Sequence, residues 1–187
     1  MNTKTKKLST GSMVLCGMFA ALVAIGAFIQ IPVPYMDYFT LQFFFVLLAG
    51  LILGADKGAI SVGCYVLLGL VGVPIFAAGG GIGYIFRPSF GYLVGFIVSA
   101  YVTGKVCEKL KASYKNYLLA CLAGFVVTYA IGIVYKFIIL NFYAHTPATL
   151  GVIFLSCFPL DMPGDFVLCL LAAGVGLRMR KSGFYLS

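Results

Sequence analysis

Charge is what this chain has least of. Only 10% of its 187 residues are charged, against roughly 25% in a soluble domain. Five acidic residues and one histidine leave few parts for acid–base or metal-assisted catalysis. No G-x-x-x-x-G-K-[ST] loop is present, so the chain does not hydrolyse a nucleoside triphosphate alone. No G-x-G-x-x-G fingerprint is present either; Gly79-Gly80-Gly81-Ile82-Gly83 fails both spacings. The six cysteines, Cys16, Cys64, Cys107, Cys121, Cys157 and Cys169, form no C-x-x-C pair. They suit small apolar packing better than a disulfide framework or a zinc site. What abounds is apolar: 62% of the residues, with a mean hydropathy of +1.07. That excludes a soluble globule and a disordered chain, leaving an all-α integral membrane protein. The net charge of +8 does not imply nucleic acid, because excess Lys and Arg in such chains marks the cytoplasmic side.

The few charges punctuate the sequence. A spanning helix needs about 20 mostly apolar residues, and the uncharged runs predict six: 13–31, 40–54, 58–76, 89–105, 117–142 and 163–177. Together they make one transmembrane domain over 1–187. The second and sixth are short, so a nearby apolar segment such as 151–158 is expected to assist. Six crossings put both termini on one side, together with the second–third and fourth–fifth loops. That side collects all the basic residues except Arg87 and Lys136, from Lys4, Lys6 and Lys7 through to Arg178, Arg180 and Lys181. The positive-inside rule makes it cytoplasmic. The apolar run after Lys7 exceeds the 7–15 residues of a signal-peptide core, so a first helix is expected there rather than a cleaved leader.

Ionisable groups in or beside membrane helices are costly and point to function. The outer set is short: Asp37, Arg87, Asp161 and Asp165, with Lys136 inside the fifth helix and His145 in a loop. Three outer segments, 32–39, 77–91 and 141–165, carry them and are expected to be loops converging on a cavity. In the middle one, Gly80 and Gly81 allow close backbone approach to a ligand. Tyr84 and Tyr92 offer aromatic walls there, and Arg87 a forked donor for a carboxylate. Asp165 suits either a helix cap or a ligand presenting paired N–H donors. Lys136 either snorkels outward or pairs with Asp165 or with an anionic ligand. Gln42 and Asn141 add neutral polar groups. In the first helix, Gly17, Ala20, Ala21 and Ala24 form a stripe of small residues that permits close helix contact in lipid, within the bundle or with a partner.

Several strings together resemble the BioY family, the biotin-specific substrate-binding (S) components of energy-coupling factor (ECF) transporters. They are Phe39-Thr-Leu-Gln-Phe-Phe-Phe-Val-Leu-Leu-Ala-Gly-Leu-Ile-Leu-Gly54, Gly69-Leu-Val-Gly-Val-Pro-Ile-Phe-Ala77, Arg87-Pro-Ser-Phe-Gly-Tyr-Leu-Val-Gly-Phe96 and Pro163-Gly-Asp165. The resemblance runs over essentially the whole chain. It implies a six-transmembrane-helix bundle in a bacterial plasma membrane, both termini cytoplasmic, that captures biotin from outside. It also implies partners: a membrane coupling protein met through the A-x-x-x-A stripe, here Ala20 and Ala24, and two cytoplasmic ATPases. No cofactor and no enzyme activity are implied; biotin is cargo. Asp165 would take the ureido N–H donors, Gln42 or Asn141 the ureido carbonyl, and Arg87 or Lys136 the carboxylate. The chain departs from the family pattern at Arg87 and Phe90, where many members carry Gly, and at Leu168, where many carry Lys. The expectation is that the basic function of that Lys has moved to Arg87, with help from Lys136. An S component for another vitamin, or a stand-alone carrier, is the alternative.

Overall fold

The computed structural model describes residues 9–32, 38–144, 146, 148–157 and 161–183. Lys4, Lys6, Lys7, Asp37 and His145 lie outside the described residues. Seven helices are described: α1 (Thr10–Phe28), α2 (Gln42–Leu53), α3 (Ala55–Val71), α4 (Phe90–Lys109), α5 (Tyr114–Ile138), α6 (Leu150–Cys157) and α7 (Asp161–Lys181). Between α1 and α2 lies an antiparallel hairpin of β1 (Gln30–Pro32) and β2 (Tyr38–Thr40), pairing Gln30 with Thr40 and Ile31 with Phe39. A 3-10 turn (Ile82–Phe86) precedes α4, and a π turn (Ile139–Tyr143) prolongs α5.

Local signals explain several boundaries. Ser9 caps α1 by accepting from the Ser12 N–H at 3.2 Å, and Ser113 caps α5 by accepting from the Asn116 N–H at 3.3 Å. In α7, Asp161 sits in the first turn and Arg178, Arg180 and Lys181 in the last, each complementing the helix dipole.

α1, α4, α5 with its π turn, and α7 are long and apolar enough to cross a membrane. α2 is equally apolar, but its 12 residues rise only about 18 Å at 1.5 Å each. Its place in the bundle accounts for this: every residue from Val46 to Leu53 is buried, and α1, α3, α4 and α7 all pack on it. Among the described residues, the segments expected to be loops contain regular structure. The first holds the hairpin, the second the 3-10 turn, and the third the π turn and α6.

Small residues bring these helices together. A Cβ at Gly104 of α4 would lie 2.4 Å from the Ala55 nitrogen, and one at Gly50 of α2 only 2.5 Å from the Ala100 carbonyl. The corner between α2 and α3 is pinned from α4, where the Glu108 carboxylate accepts from the Ala55 N–H at 2.8 Å and pairs with Lys105 at 3.7 Å.

The charges separate along the bundle. Lys57, Lys105, Lys109, Lys111, Lys115, Arg178, Arg180 and Lys181 sit on the helix ends and corners at one end. The hairpin, the 3-10 turn and the acidic start of α7 lie at the other.

Replacing Gly104 with Val should cost about 1–3 kcal/mol of overpacking and lower the melting temperature of the detergent-purified protein. Gly63 in α3 has nothing within 4 Å of its virtual Cβ, so Gly63→Ala should hold or raise it. Equal melting temperatures for the two variants would show that the contact of α4 with the α2–α3 corner is not tight.

Candidate functional site

At the end away from the basic cluster, the hairpin, the wall loop after α3 and helices α2, α4, α5 and α7 enclose a cavity. Counting the part open to the outside, it contains about 830 Å³ of empty space. Thr40, Gln42, Ala77, Ala78, Tyr84, Ser89, Tyr92, Leu93, Phe96, Tyr129, Lys136, Asp161 and Asp165 line it.

Helical spacing delivers these side chains in sets. α4 turns Tyr92, Leu93 and Phe96 inward with Ser89 just before them, α5 presents Tyr129 and Lys136, and α7 presents Asp161 and Asp165. Residues three, four and seven apart share a helix face. Two reciprocal contacts lock α4 against α5. The Tyr92 ring covers Gly132, where a Cβ would come within 2.5 Å of it, and the Tyr135 side chain covers Gly91, where a Cβ would come within 2.3 Å of the Tyr135 Cβ. Tyr135 also donates to the Ile85 carbonyl, tying the 3-10 turn to α5.

The polar groups gather on one wall. Tyr129, buried, donates to Asp165 Oδ2 at 2.8 Å, and the Tyr92 hydroxyl lies 3.0 Å from Cys157 Sγ. The half-buried Lys136 reaches Ser156 Oγ at 3.4 Å and forms no ion pair among the described residues. Ser89 Oγ is buried and has no hydrogen-bond partner among the described residues. The other walls are aromatic. Phe76 packs on Tyr84 with centroids 4.6 Å apart, and Tyr92 meets Tyr129 edge-on at 5.8 Å.

Of the residues expected from sequence, Gln42, Tyr84, Tyr92, Lys136 and Asp165 come together here. Asp165 is not the helix cap, since α7 begins four residues earlier at Asp161. Four others do not line the cavity. Arg87 is exposed, with its guanidinium over the Tyr84 ring at 5.3 Å. Its extended backbone, φ −82° and ψ 139°, is what a following proline enforces, and it carries the side chain off the wall. The Asn141 amide is used up on the chain: Nδ2 donates to the Phe137 and Ala148 carbonyls at 3.0 Å each, and Oδ1 accepts from the Ala148 N–H at 3.2 Å. Gly80 and Gly81 shape the wall loop. A Cβ at Gly80 would meet the Val73 carbonyl at 2.3 Å, and Gly81, with φ +100°, donates to the Gly69 carbonyl at 2.7 Å. The small-residue stripe of α1 is divided, with Ala20 buried, Ala24 half-buried, and Gly17 and Ala21 exposed.

Thr40, Ser89, Phe96 and Tyr129 join the lining without having been singled out from sequence, and so does Asp161, noted there only as an outer charge. The available signal was spacing. Tyr129 precedes Lys136 by seven residues and Asp161 precedes Asp165 by four, so each shares a helix face with a charge already noted.

The sequence profile of the BioY family matches residues 1–183. The chain belongs to the BioY family. It is 40% identical to a probable biotin transporter BioY of Lysinibacillus sphaericus over 177 residues, covering 94% of this chain and 90% of that protein. It is 38% identical to the biotin transporter BioY of Thermotoga maritima, covering 90% and 95%. Among solved structures, the 2.1 Å crystal structure of the S-component for biotin from an ECF-type ABC transporter superposes with a TM-score of 0.81. That match has 25% identity and covers 97% of this chain and 95% of that one. This BioY-family chain therefore shares the fold of a transporter component.

Because the Asn141 amide holds the turn between α5 and α6, Asn141→Ala should lower thermal stability by about 1–3 kcal/mol. A melting curve superimposable on that of the parent protein would contradict this structural assignment.

Proposed function

We propose that the chain is the substrate-specific S component of an ECF-type transporter and captures biotin in this cavity for uptake. One observation carries the reading: a single aromatic cavity holds an ammonium without an ion-pair partner among the described residues, a carboxylate oriented by a tyrosine, and a fixed amide. Biotin matches this set, with a carboxylate at one end, two ureido N–H donors and a carbonyl at the other, and an apolar thiophane between. Lys136 takes the carboxylate, because an ammonium held in a low-dielectric pocket calls for an anion. Asp165 accepts from the ureido N–H groups. Tyr129 occupies Asp165 Oδ2 and so leaves Oδ1 to face the ligand. Tyr84, Tyr92 and Phe96 flank the thiophane, and the Ser89 hydroxyl gains the partner it lacks.

Lys136 thus replaces Arg87 as the residue carrying the basic function, since Arg87 lies outside the cavity. Gly80, Gly81 and Asn141 act through the loop and turn they hold. The rest of the reading follows the charge distribution and the family. Six helices cross a bacterial plasma membrane with both termini and the basic end in the cytoplasm, and the cavity opens outward. A membrane coupling protein docks on the exposed side of α1, at Gly17 and Ala21 beside Ala20 and Ala24, and two cytoplasmic ATPases supply the energy. The protein is a transporter subunit, not an enzyme; it takes no cofactor and no nucleic acid.

The test is equilibrium binding of biotin and of biotin methyl ester, which lacks the charge. The parent protein and Arg87→Ala should both prefer free biotin. Lys136→Ala should lose that preference by about 10- to 100-fold, the range for a charge-assisted hydrogen bond. Retention of the full preference in Lys136→Ala, with its loss in Arg87→Ala, would overturn the assignment.

A further inference from the structure

Tyr65 of α3 does not line the cavity, yet it hydrogen-bonds to a residue that does. Its ring is fully buried, edge-on to Phe76 with centroids 5.5 Å apart. Its hydroxyl lies 3.1 Å from the Ile75 carbonyl oxygen and also meets Nε2 of Gln42. Across the amide, Thr40 Oγ1 donates to Gln42 Oε1 at 3.2 Å. Gln42 is itself buried, and it is placed by α1. The Leu41 N–H donates to the Gly26 carbonyl at 3.1 Å, and a Cβ at Gly26 would lie 2.9 Å from the Gln42 nitrogen.

We infer that Tyr65 is a positioning residue that fixes the polarity of the Gln42 amide, so that the cavity presents an N–H donor there and selects ligands with a carbonyl oxygen at that point. The chain of reasoning starts at the Ile75 carbonyl, which only accepts. Tyr65 has one proton and spends it on Ile75, so its oxygen must accept. The group facing that oxygen must therefore be the NH₂ of Gln42, since the flipped amide would set two acceptors against each other. Thr40 reinforces the same orientation by donating to Oε1. One N–H of Nε2 is spent on Tyr65, and the other has no partner among the described residues. An unpaired donor in a buried site rejects a ligand that cannot accept from it.

This inference rests on the biotin reading and names which part of biotin Gln42 recognises: the ureido carbonyl. The discriminating probe is 2-iminobiotin at neutral pH, whose guanidinium puts a donor where biotin has its acceptor. The parent protein should favour biotin by a factor on the order of 10⁴. Tyr65→Phe frees the amide to turn over and should reduce that ratio at least about tenfold. A merely structural role would weaken both ligands together and leave the ratio unchanged, which would overturn the inference. Gln42→Glu supplies an independent arm should Tyr65→Phe fail to fold. A carboxylate offers only acceptors, so preference should move toward 2-iminobiotin, and retention of the parent ratio would count against the proposal. A parent protein that binds neither ligand overturns the biotin reading and this inference with it. Binding of biotin with an unmoved ratio in Tyr65→Phe overturns the inference alone.

Discussion

Holding ionic and hydrogen-bonding side chains inside an apolar bundle is costly, because a buried polar group without a partner loses its hydration for nothing in return. The arrangement of the molecule follows from limiting that cost. The cavity-lining charges Lys136, Asp161 and Asp165 are gathered at one end, where tyrosines and a serine stand beside them. The middle of the bundle is carried by α2, a 12-residue apolar helix wrapped by four neighbours. Tight contacts at Gly50, Gly104 and Gly132 bring neighbouring helices close together.

This constraint also explains how the site keeps its geometry. Three cavity residues are held by a neighbour behind them: Asp165 by Tyr129, Gln42 by Tyr65 and Thr40, Tyr92 by its fit over Gly132. A site whose groups are already fixed pays little ordering entropy when a ligand arrives. The same fixation makes it selective, since a donor or acceptor that cannot turn away must be matched.

Much of this was legible in the sequence, for a physical reason. In a chain with so few charges, each outer ionisable residue carries information, and scarcity alone pointed to Lys136 and Asp165. Tyr129 was hidden because tyrosine is common in this chain, with 12 in all, and belongs at membrane interfaces anyway. Arg87 was equally conspicuous, yet it does not line the cavity. It is a rare charge in a glycine-rich loop, but sequence does not give the direction of a side chain leaving an extended backbone before proline. The loops were under-read because hydropathy finds membrane-length runs and not an 8-residue helix such as α6 or a π turn. The glycines of the wall loop read as room for close approach to a ligand, whereas they permit a tight fold in which Gly81 takes a positive φ and Gly80 lies against the Val73 carbonyl.

The central claim, that the cavity recognises biotin through both of its polar ends, is tested most directly by calorimetric titration of the purified full-length protein. The ligands would be biotin, desthiobiotin, thiamine and riboflavin in turn. The account predicts saturable nanomolar-range binding of biotin and no comparable binding of thiamine or riboflavin. Absence of such biotin binding, or tighter binding of either other vitamin, would contradict it.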